Sequence, residues 1–176
     1  MEIKIEDLKV LFSEEQLQTR IKERADEMNK FYNGEEVIAI CVLKGAVMFA
    51  VDLVKHLDMP VKMEFIRLSS YGSSTTTSGK VNAVDIQLPD LNDKNVLIIE
   101  DIVDTGLTAK FLMDFMHCNF HAKTIKFCSL LDKKITRKVD IEPDYYGFDV
   151  DDKFVVGYGL DFDGYFRNLK YIGYKE

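Results

Sequence analysis

Continuous apolar runs recur along the chain between polar turns. The longest are rich in Val, Ile and Leu, which predicts β-strands that are buried on both faces, as in the middle of a parallel sheet. Other runs are shorter or alternate only in part, and these predict strands nearer the edges. The predicted strands occupy residues 37–43, 61–68, 81–88, 96–99, 124–131 and 154–159.

Apolar residues at helical spacing predict three helices between these strands. The first follows a capping box at 13–16 and ends before Gly34, with an inward face predicted to carry Leu17, Ile21, Met28 and Phe31. The second occupies 46–54, and the third, 107–116, is predicted to turn inward Phe111, Leu112, Phe115 and Met116. Alternation of strand and helix predicts the α/β class, with a mostly parallel central sheet flanked by helices on both faces.

The composition adds a size and a charge to this fold. At 176 residues, with 47% hydrophobic and 30% charged residues, the chain is suited to a single domain, 1–176, with a substantial core. Its net charge of −7 does not favour non-specific binding to nucleic acid or to anionic membranes. No segment has the roughly 20 apolar residues that cross a bilayer, and no leader pattern begins the chain, so we expect a cytoplasmic protein.

The three cysteines argue against two kinds of covalent or metal framework. Cys41, Cys118 and Cys128 are odd in number and show no CxxC spacing. A set of disulfides or a structural zinc site would need a different pattern. We therefore expect three reduced thiols, two of them, Cys41 and Cys128, packed in the core.

Acidic and hydroxyl side chains follow the strand at 96–99. Glu100 and Asp101 stand where this strand is expected to emerge, and in an open α/β sheet that edge binds ligands. Adjacent carboxylates repel each other unless a cation or hydrogen-bond donors intervene. In the loop 104–108, Gly106 allows a tight turn, while hydroxyls and amide N–H groups at a helix start can hold a phosphate. The stretch therefore predicts carboxylates for hydroxyls or a metal beside an anion site.

Other charged residues come just beyond predicted strands. Lys44, Lys133 and Asp161 occupy such positions, and the C-terminal ends of parallel strands lie at one edge of a sheet. We expect these residues to converge with Glu100, Asp101 and Asp104 on one crevice. Of the neighbours Lys133 and Lys134, one is expected to face this site and the other to face water.

Common nucleotide and hydrolase motifs are absent from the sequence. Gly79 and Lys80 are followed by Val81, whereas a Walker-type phosphate loop requires Ser or Thr there. Gly157 and Gly159 lack the third glycine of a dinucleotide-binding fingerprint. The sequence also contains no GxSxG or HExxH motif. These observations argue against a P-loop nucleotidase, a dinucleotide enzyme, an α/β-hydrolase and a zinc protease.

Between 69 and 79, every residue except Tyr71 is Ser, Thr or Gly. Such a tract cannot bury itself, and within one domain it has no second domain to join. A long loop of this kind in a compact domain is typical of an active-site lid. We therefore predict that 69–79 is a flexible lid.

The acids and the loop resemble the phosphoribosyl-pyrophosphate motif of type I phosphoribosyltransferases, which has two acids, two apolar residues and Asp-Thr-Gly-x-Thr after a hydrophobic strand. The segments 43–45, 70–71, 129–133 and 152–167 further resemble the hypoxanthine-guanine branch of that family. The resemblance runs from about Val37 to the C-terminus. It implies a single-domain type I phosphoribosyltransferase fold, with a small purine-binding hood at about 150–176 and a flexible loop.

The resemblance implies purine salvage. The chain would transfer the 5-phosphoribosyl group from phosphoribosyl pyrophosphate to N9 of hypoxanthine or guanine with Mg²⁺, giving IMP or GMP and pyrophosphate. Glu100 and Asp101 would address the ribose hydroxyls and a magnesium ion, and Asp104 would also exchange a proton with N7 of the purine. The residues that would hold the 5′-phosphate are Asp104, Thr105, Gly106, Leu107 and Thr108. At Leu107 some family members have lysine, so this phosphate contact would rest on backbone and hydroxyl groups.

The same resemblance assigns the other substrate contacts. Lys133 would bind the 6-oxo group, Phe154 would stack on the base, and the backbone of Val155 would read its edge. Asp161, beside the purine, would bind a second magnesium ion. Pyrophosphate would be held by Lys44, Gly45 and Arg167. In that family the peptide at Leu43–Lys44 is often cis, and the sequence does not decide its state in this chain. Ser70 and Tyr71 would close over the reacting centre. Related enzymes imply a homodimer or a homotetramer.

Three alternatives stay open on sequence grounds. Spacing alone is compatible with Phe154 packed in the core. Base-edge contacts through backbone carbonyls leave no pattern in the sequence, so an enzyme that prefers xanthine is compatible with the same residues. A regulator that senses phosphoribosyl pyrophosphate and binds nucleic acid would favour a basic face. The charge of −7, with Asp104 and Lys133 both present, favours the enzyme.

Overall fold

The structure is a computed structural model that describes residues 4–70 and 81–175. For 69–70 and 81–85 it describes the backbone and not the side chains. Tyr71, the side chain of Ser70 and most of the predicted lid at 69–79 therefore lie outside the described residues. No described helix is both long enough and apolar enough to cross a bilayer.

Six strands form the central sheet. They are β2 (Val37–Leu43), β3 (Val61–Ser70), β4 (Val81–Asp85), β5 (Asn95–Val103), β6 (Thr124–Asp132) and β7 (Tyr145–Asp149). The order across the sheet is β4-β3-β2-β5-β6-β7, and all neighbours run parallel except the antiparallel pair β3 and β4. The predicted mostly parallel α/β sheet is confirmed. Strand β7 was not predicted, because its residues Tyr-Tyr-Gly-Phe-Asp form no continuous apolar run.

Helices cover both faces of this sheet. Helices α1 (Glu14–Tyr32) and α2 (Val47–Val54) pack on one face, where their apolar residues share a core with Ala39, Leu97 and Leu130. Helix α3 (Leu107–Asn119) packs on the other face against Ile40 and Ile98. Alternate residues of each strand thus point into opposite cores, as the double-sided burial of the apolar runs requires.

The predicted start of α1 is confirmed and its inward face is corrected at one position. Ser13 and Gln16 form the capping box, with Ser13 N donating to Gln16 Oε1 at 2.9 Å. Phe31, expected inside, is 47% exposed. The buried face of the helix continues from Met28 to Tyr32, which is four residues later. Phe31 therefore lies beside this face. In α3, Ala109 joins Leu112 and Met116 inside, while Phe111 and Phe115 are only half-buried.

A second sheet joins the two ends of the chain. Strands β1 (Lys9–Phe12), β8 (Val155–Val156) and β9 (Ile172–Tyr174) are antiparallel in the order β1-β9-β8. The hood predicted at about 150–176 therefore includes an N-terminal strand that the sequence reading missed. Val155, Leu160 and Ile172 of the hood share the core of α1 and α2.

Candidate active site

The acid pair lies inside β5 and not beyond it. The strand continues to Val103, because Ile102 and Val103 keep their pairing with Leu131 and Asp132 of β6. This corrects the predicted strand end at Ile99. Glu100 is buried, and its Oε2 atom has no hydrogen-bond partner among the described residues. Burial raises the pKa of Glu100 well above its ordinary value, and the neighbouring charge of Asp101 raises this pKa further.

Asp101 lies directly against the turn that follows β2. A Cβ atom on Gly45 would be 1.6 Å from Asp101 Oδ2, so only glycine leaves room for this carboxylate. Asp101 Oδ1 accepts a hydrogen bond from the amide of Ile102 at 2.9 Å. Burial raises the pKa of Asp101, and the charge of Arg167 acts in the opposite direction. The structure thus brings Gly45, Asp101 and Arg167 into one neighbourhood.

The turn at Lys44 and Gly45 also meets the hood. The Leu43–Lys44 peptide is cis, which the sequence had left open. A Cβ atom on Gly159, whose φ is +102°, would lie 2.0 Å from the carbonyl oxygen of Gly45. Arg167 holds this part of the hood, since its Nη1 atom donates to the Gly159 carbonyl at 2.6 Å. Lys44 itself is exposed.

The loop 104–108 is anchored through its carbonyl groups. The carbonyl oxygens of Val103, Asp104 and Thr105 accept hydrogen bonds at 2.9, 3.1 and 2.9 Å. The donors, in the same order, are the amide of Lys133, the Arg137 Nε atom and the amide of Lys138. In a trans peptide the N–H group points away from the C=O group, so the amides of residues 104–106 face the other side.

A small cavity lies at the start of α3. Its volume is about 80 Å³, and its lining includes Glu100, Asp104, Thr105, Gly106 and Thr108. Ligand pockets for whole drug-sized molecules are several times larger, so this cavity suits a single small group. Gly106 (φ +81°) makes the turn into the helix, and a Cβ atom there would be 2.7 Å from Arg137 Cδ. Amides, hydroxyls and a helix start in this arrangement can bind an anion.

The side chain of Asp104 has a partner that the sequence did not suggest. Asp104 is exposed, and its Oδ1 atom accepts a hydrogen bond from the hydroxyl of Thr136. Arg137 is a second residue near the site that was not predicted from the sequence. It donates hydrogen bonds to the carbonyl of Ile141 and to the buried carboxylate of Asp132. The only sequence signal was the charged end of β6, since the 3-10 turn Lys134–Thr136 carries no motif.

Lys133 and Lys134 have different surroundings. The Lys133 side chain is 12% exposed, and its Nζ atom lies 2.9 Å from Asp152 Oδ1 and 3.3 Å from the Lys153 carbonyl. The Lys134 side chain is 51% exposed and pairs with Asp149 at 2.9 Å. Lys133 therefore faces the hood, and Lys134 faces water.

Phe154 is not a core residue. It is 55% exposed and meets Phe162 edge to face, with 5.8 Å between the ring centroids. This excludes the core-packing alternative and leaves one ring face available for a flat ligand. The next residue, Val155, is buried and pairs with Tyr174 in the hood sheet.

Asp161 is engaged within the hood. Its Oδ1 atom lies 2.7 Å from Arg167 Nη2, and its Oδ2 atom accepts from the amide of Gly164 at 2.8 Å. Within 4–70 and 81–175, no three His, Cys, Asp or Glu side chains form a group that could hold a metal ion. The structure thus does not bring Asp161 together with Glu100 and Asp101 as a preformed set of ligands. Ser70 belongs to β3, where its backbone pairs with Val81.

Known proteins resemble this chain over nearly its whole length. The family model for the phosphoribosyl transferase domain matches residues 11–163. The hypoxanthine-guanine phosphoribosyltransferase of Bacillus subtilis (strain 168) is 47% identical over 165 residues, 94% of this chain and 91% of that protein. The Aquifex aeolicus (strain VF5) protein of the same name is 44% identical over 169 residues, 96% of this chain and 94% of its own.

Solved structures give the same result. A Bacillus anthracis hypoxanthine-guanine phosphoribosyltransferase, with HEPES in its active site, has a TM-score of 0.90 at 44% identity. That match covers 99% of this chain and 100% of the other. A hypoxanthine phosphoribosyltransferase from Staphylococcus aureus has a TM-score of 0.91 at 38% identity, covering 97% of this chain and 93% of the other.

Proposed function

The chain belongs to the phosphoribosyl transferase family, and from this premise we propose that it is a Mg²⁺-dependent purine salvage enzyme. It transfers the 5-phosphoribosyl group of phosphoribosyl pyrophosphate to N9 of hypoxanthine or guanine, in the cytoplasm, and releases IMP or GMP and pyrophosphate. One observation carries the proposal beyond family membership. Residues of the segment 133–138 donate hydrogen bonds to the carbonyl oxygens of residues 103, 104 and 105. The backbone positions of Asp104 and Lys133 are therefore fixed relative to each other.

The reaction needs a proton acceptor for the purine. The bond from purine N9 to the anomeric carbon forms while the bond from that carbon to pyrophosphate breaks, and the electron pair leaves with pyrophosphate. The proton on N7 passes to the carboxylate of Asp104. A positioned proton transfer of this kind contributes typically about 10²–10⁴-fold to the rate. The exposed position of Asp104 at the rim of the phosphate-sized cavity supports this role.

The 5′-phosphate occupies the cavity at the start of α3. Its contacts are the amides of the loop, the hydroxyls of Thr105 and Thr108, and the helix start at Gly106. Leu107 contributes only its backbone. Anchored carbonyls support this assignment, because they fix the backbone of the loop whose amides would bind the phosphate.

The buried acid pair fits a cation. Glu100 Oε2 has no hydrogen-bond partner in the described part of the chain, and burial raises the pKa of both Glu100 and Asp101. Two such carboxylates are stabilised in their charged form by Mg²⁺, which prefers oxygen ligands. Glu100 and Asp101 would hold this ion, and its positive charge would offset the negative charge that develops on pyrophosphate. A second magnesium ion at Asp161 would have to replace Arg167 as the charged partner of this carboxylate.

The remaining contacts follow from the neighbourhood of the acid pair. Pyrophosphate lies beside the turn at Lys44 and Gly45 and is held also by Arg167, which the hood brings close to Asp101. The purine stacks on the exposed ring of Phe154, and Lys133 donates to its 6-oxo group. The backbone of Val155 reads the edge of the base. A lid at 69–79, with Ser70 and Tyr71, excludes water from the reacting carbon.

The proposal is tested by nucleotide formation from phosphoribosyl pyrophosphate, monitored by ultraviolet absorbance with and without Mg²⁺. Hypoxanthine, guanine, xanthine, adenine and uracil are offered separately. We expect Mg²⁺-dependent formation of IMP and GMP, with little product from adenine or uracil. The Asp104→Asn variant, purified in the same way, controls for contaminating enzymes.

Two other outcomes contradict the proposal in different ways. Preference for xanthine would keep the enzyme class and change the substrate. No product from any base, in protein that binds phosphoribosyl pyrophosphate, would favour a regulator that senses this metabolite.

A further inference from the structure

The segment 133–138 contacts Asp104 through both its main chain and its side chain. Arg137 Nε donates to the Asp104 carbonyl at 3.1 Å, and the neighbouring Thr136 hydroxyl bonds Asp104 Oδ1. Consecutive residues of one turn therefore fix the backbone and the carboxylate of the same aspartate. No other side-chain hydrogen bond to that carboxylate exists among the described residues.

Thr136 is itself held in place. Its amide donates to the Lys133 carbonyl at 3.4 Å. Its hydroxyl has a single proton and lies 3.1 Å from the same carbonyl but closer to Asp104 Oδ1, so the proton is donated to Asp104. The turn is further fixed by Arg137, whose guanidinium bonds the buried carboxylate of Asp132 at the end of β6. A threonine in this setting presents its hydroxyl in one direction, because a β-branched side chain has few rotamers.

An exposed aspartate without such a partner would rotate freely. With Oδ1 bonded to Thr136, the rotation of the carboxylate is restricted and Oδ2 is left without a described partner. A proton acceptor works only when one oxygen is directed at the proton it takes. The contact with Lys133 also keeps the acceptor in register with the residue that reads the purine.

We propose that Thr136 is a positioning residue for Asp104, an inference that rests on the proposed function. It holds Oδ1 so that Oδ2 faces N7 of the purine. In the transfer, the N7 proton moves to Oδ2 as the N9–carbon bond forms and pyrophosphate leaves with its electron pair. Thr136 keeps its own proton throughout and touches neither substrate.

The first test compares three variants by kcat and by KM for each substrate. Thr136→Val keeps the shape and removes the hydroxyl, and we expect kcat to fall about tenfold. KM for phosphoribosyl pyrophosphate should stay within about twofold of the wild-type value, because the backbone of the loop 104–108 keeps its hydrogen bonds to the segment 133–138. Thr136→Ser should restore most of kcat. The matched control is Thr124→Val at the opposite end of β6, which loses a hydrogen bond to Asn95 and should keep full activity.

The second test asks whether Thr136 acts through Asp104. In the Asp104→Asn background, Thr136→Val should cause no further loss of kcat, because the two side chains act as one unit. The same tenfold loss in both backgrounds would show a structural role for the turn and overturn the proposal, as would an unchanged kcat in Thr136→Val alone. A wild-type protein that makes no nucleotide from any base would instead remove the proposed function, and this inference with it.

Discussion

At the scale of single residues, two adjacent lysines show how position decides chemistry. The Lys133 side chain forms an ion pair with Asp152 and donates to the Lys153 carbonyl, both in the hood. Lys134 forms an ion pair with Asp149 at the surface. The hydrogen bond with Asp149 raises the pKa of Lys134. Of the two lysines, only Lys133 contacts the hood.

We predict that Lys133→Met and Lys134→Met differ in purine binding. Lys133→Met should raise KM for hypoxanthine at least about tenfold, because a hydrogen bond from a charged group to the 6-oxo oxygen is lost. Lys134→Met is the matched control and should change this KM by less than about twofold, since an exposed ion pair contributes little. Steady-state kinetics at saturating phosphoribosyl pyrophosphate measure both. Equal effects of the two substitutions would contradict the assignment of Lys133.

At the scale of elements, one tyrosine joins the hood to the helices. Tyr158 lies between two glycines in the left-handed region (φ +48°), and its hydroxyl donates to Asp52 Oδ2 of α2 at 2.5 Å. Gln18 of α1 donates to the same oxygen at 2.9 Å. Burial alone would raise the pKa of Asp52, but the hydrogen bonds from Tyr158, Gln18 and Lys55, together with the charge of Lys55, outweigh it and lower this pKa. These hydrogen bonds attach the loop at Gly159, which contacts Gly45, to helices α1 and α2.

We predict that Tyr158→Phe lowers the free energy of unfolding by about 1 kcal/mol at pH 7, the usual net value of a hydrogen bond. The lowered pKa of Asp52 gives stability that is complete above the unfolded value of about 3.9 and is lost as the pH falls through the folded value. The difference between wild type and variant should therefore shrink below about pH 4. Urea unfolding at several pH values measures it.

Tyr165→Phe is the control for this experiment. Tyr165 is 70% exposed, so loss of its hydroxyl should leave the free energy of unfolding unchanged at every pH. A difference between wild type and Tyr158→Phe that stayed constant down to pH 3 would show that the bond to Asp52 is not its source.

At the scale of the whole molecule, an acidic protein is proposed to bind an anionic substrate. The net charge is −7, and β5 places two carboxyl groups at the site itself, with Glu100 buried and Asp101 partly exposed. Coulomb repulsion between these charges and phosphoribosyl pyrophosphate is removed most directly by a divalent cation. The raised pKa of Glu100 means that the ligand-free protein loses stability as the pH rises through the folded value, because an unpaired buried charge then forms.

We predict that Mg²⁺ and phosphoribosyl pyrophosphate together stabilise the protein against heat, by about 2.7 kcal/mol at 100 times Kd. Each alone should stabilise it less. Glu100→Gln should abolish the loss of ligand-free stability that accompanies ionisation of Glu100 as the pH rises, since glutamine cannot ionise, and should reduce the gain from the ligands. Thermal unfolding with and without ligands measures both effects.

Glu23→Gln on the exposed side of α1 is the control, because its ion pair with Arg20 is at the surface. It should keep the full gain from the ligands. A Glu100→Gln protein that showed the same gain as wild type would contradict a role for Glu100 at the cation.

Local patterns were enough for much of the fold and for part of the site. The apolar runs determined β2, β5 and β6, because residues buried on both faces must be apolar wherever the chain later places them. The capping box determined the start of α1, since its hydrogen bonds join residues three apart. The acid pair and the loop 104–108 were recognisable for the same reason: they lie within nine consecutive residues of the sequence.

Only the tertiary structure decided which distant residues meet. Thr136 meets Asp104 across 32 positions, and Tyr158 meets Asp52 across 106. Strand β1 completes a hood sheet formed otherwise by the C-terminal segment, and Gly45 makes room for the carboxylate of Asp101. Such contacts leave no periodic or local signal, because they depend on strand order and on the packing of loops. The sequence by itself therefore determined most of the helices and strands, the acid pair and the loop 104–108. The packing of those helices and strands determined which residues hold the loop in place.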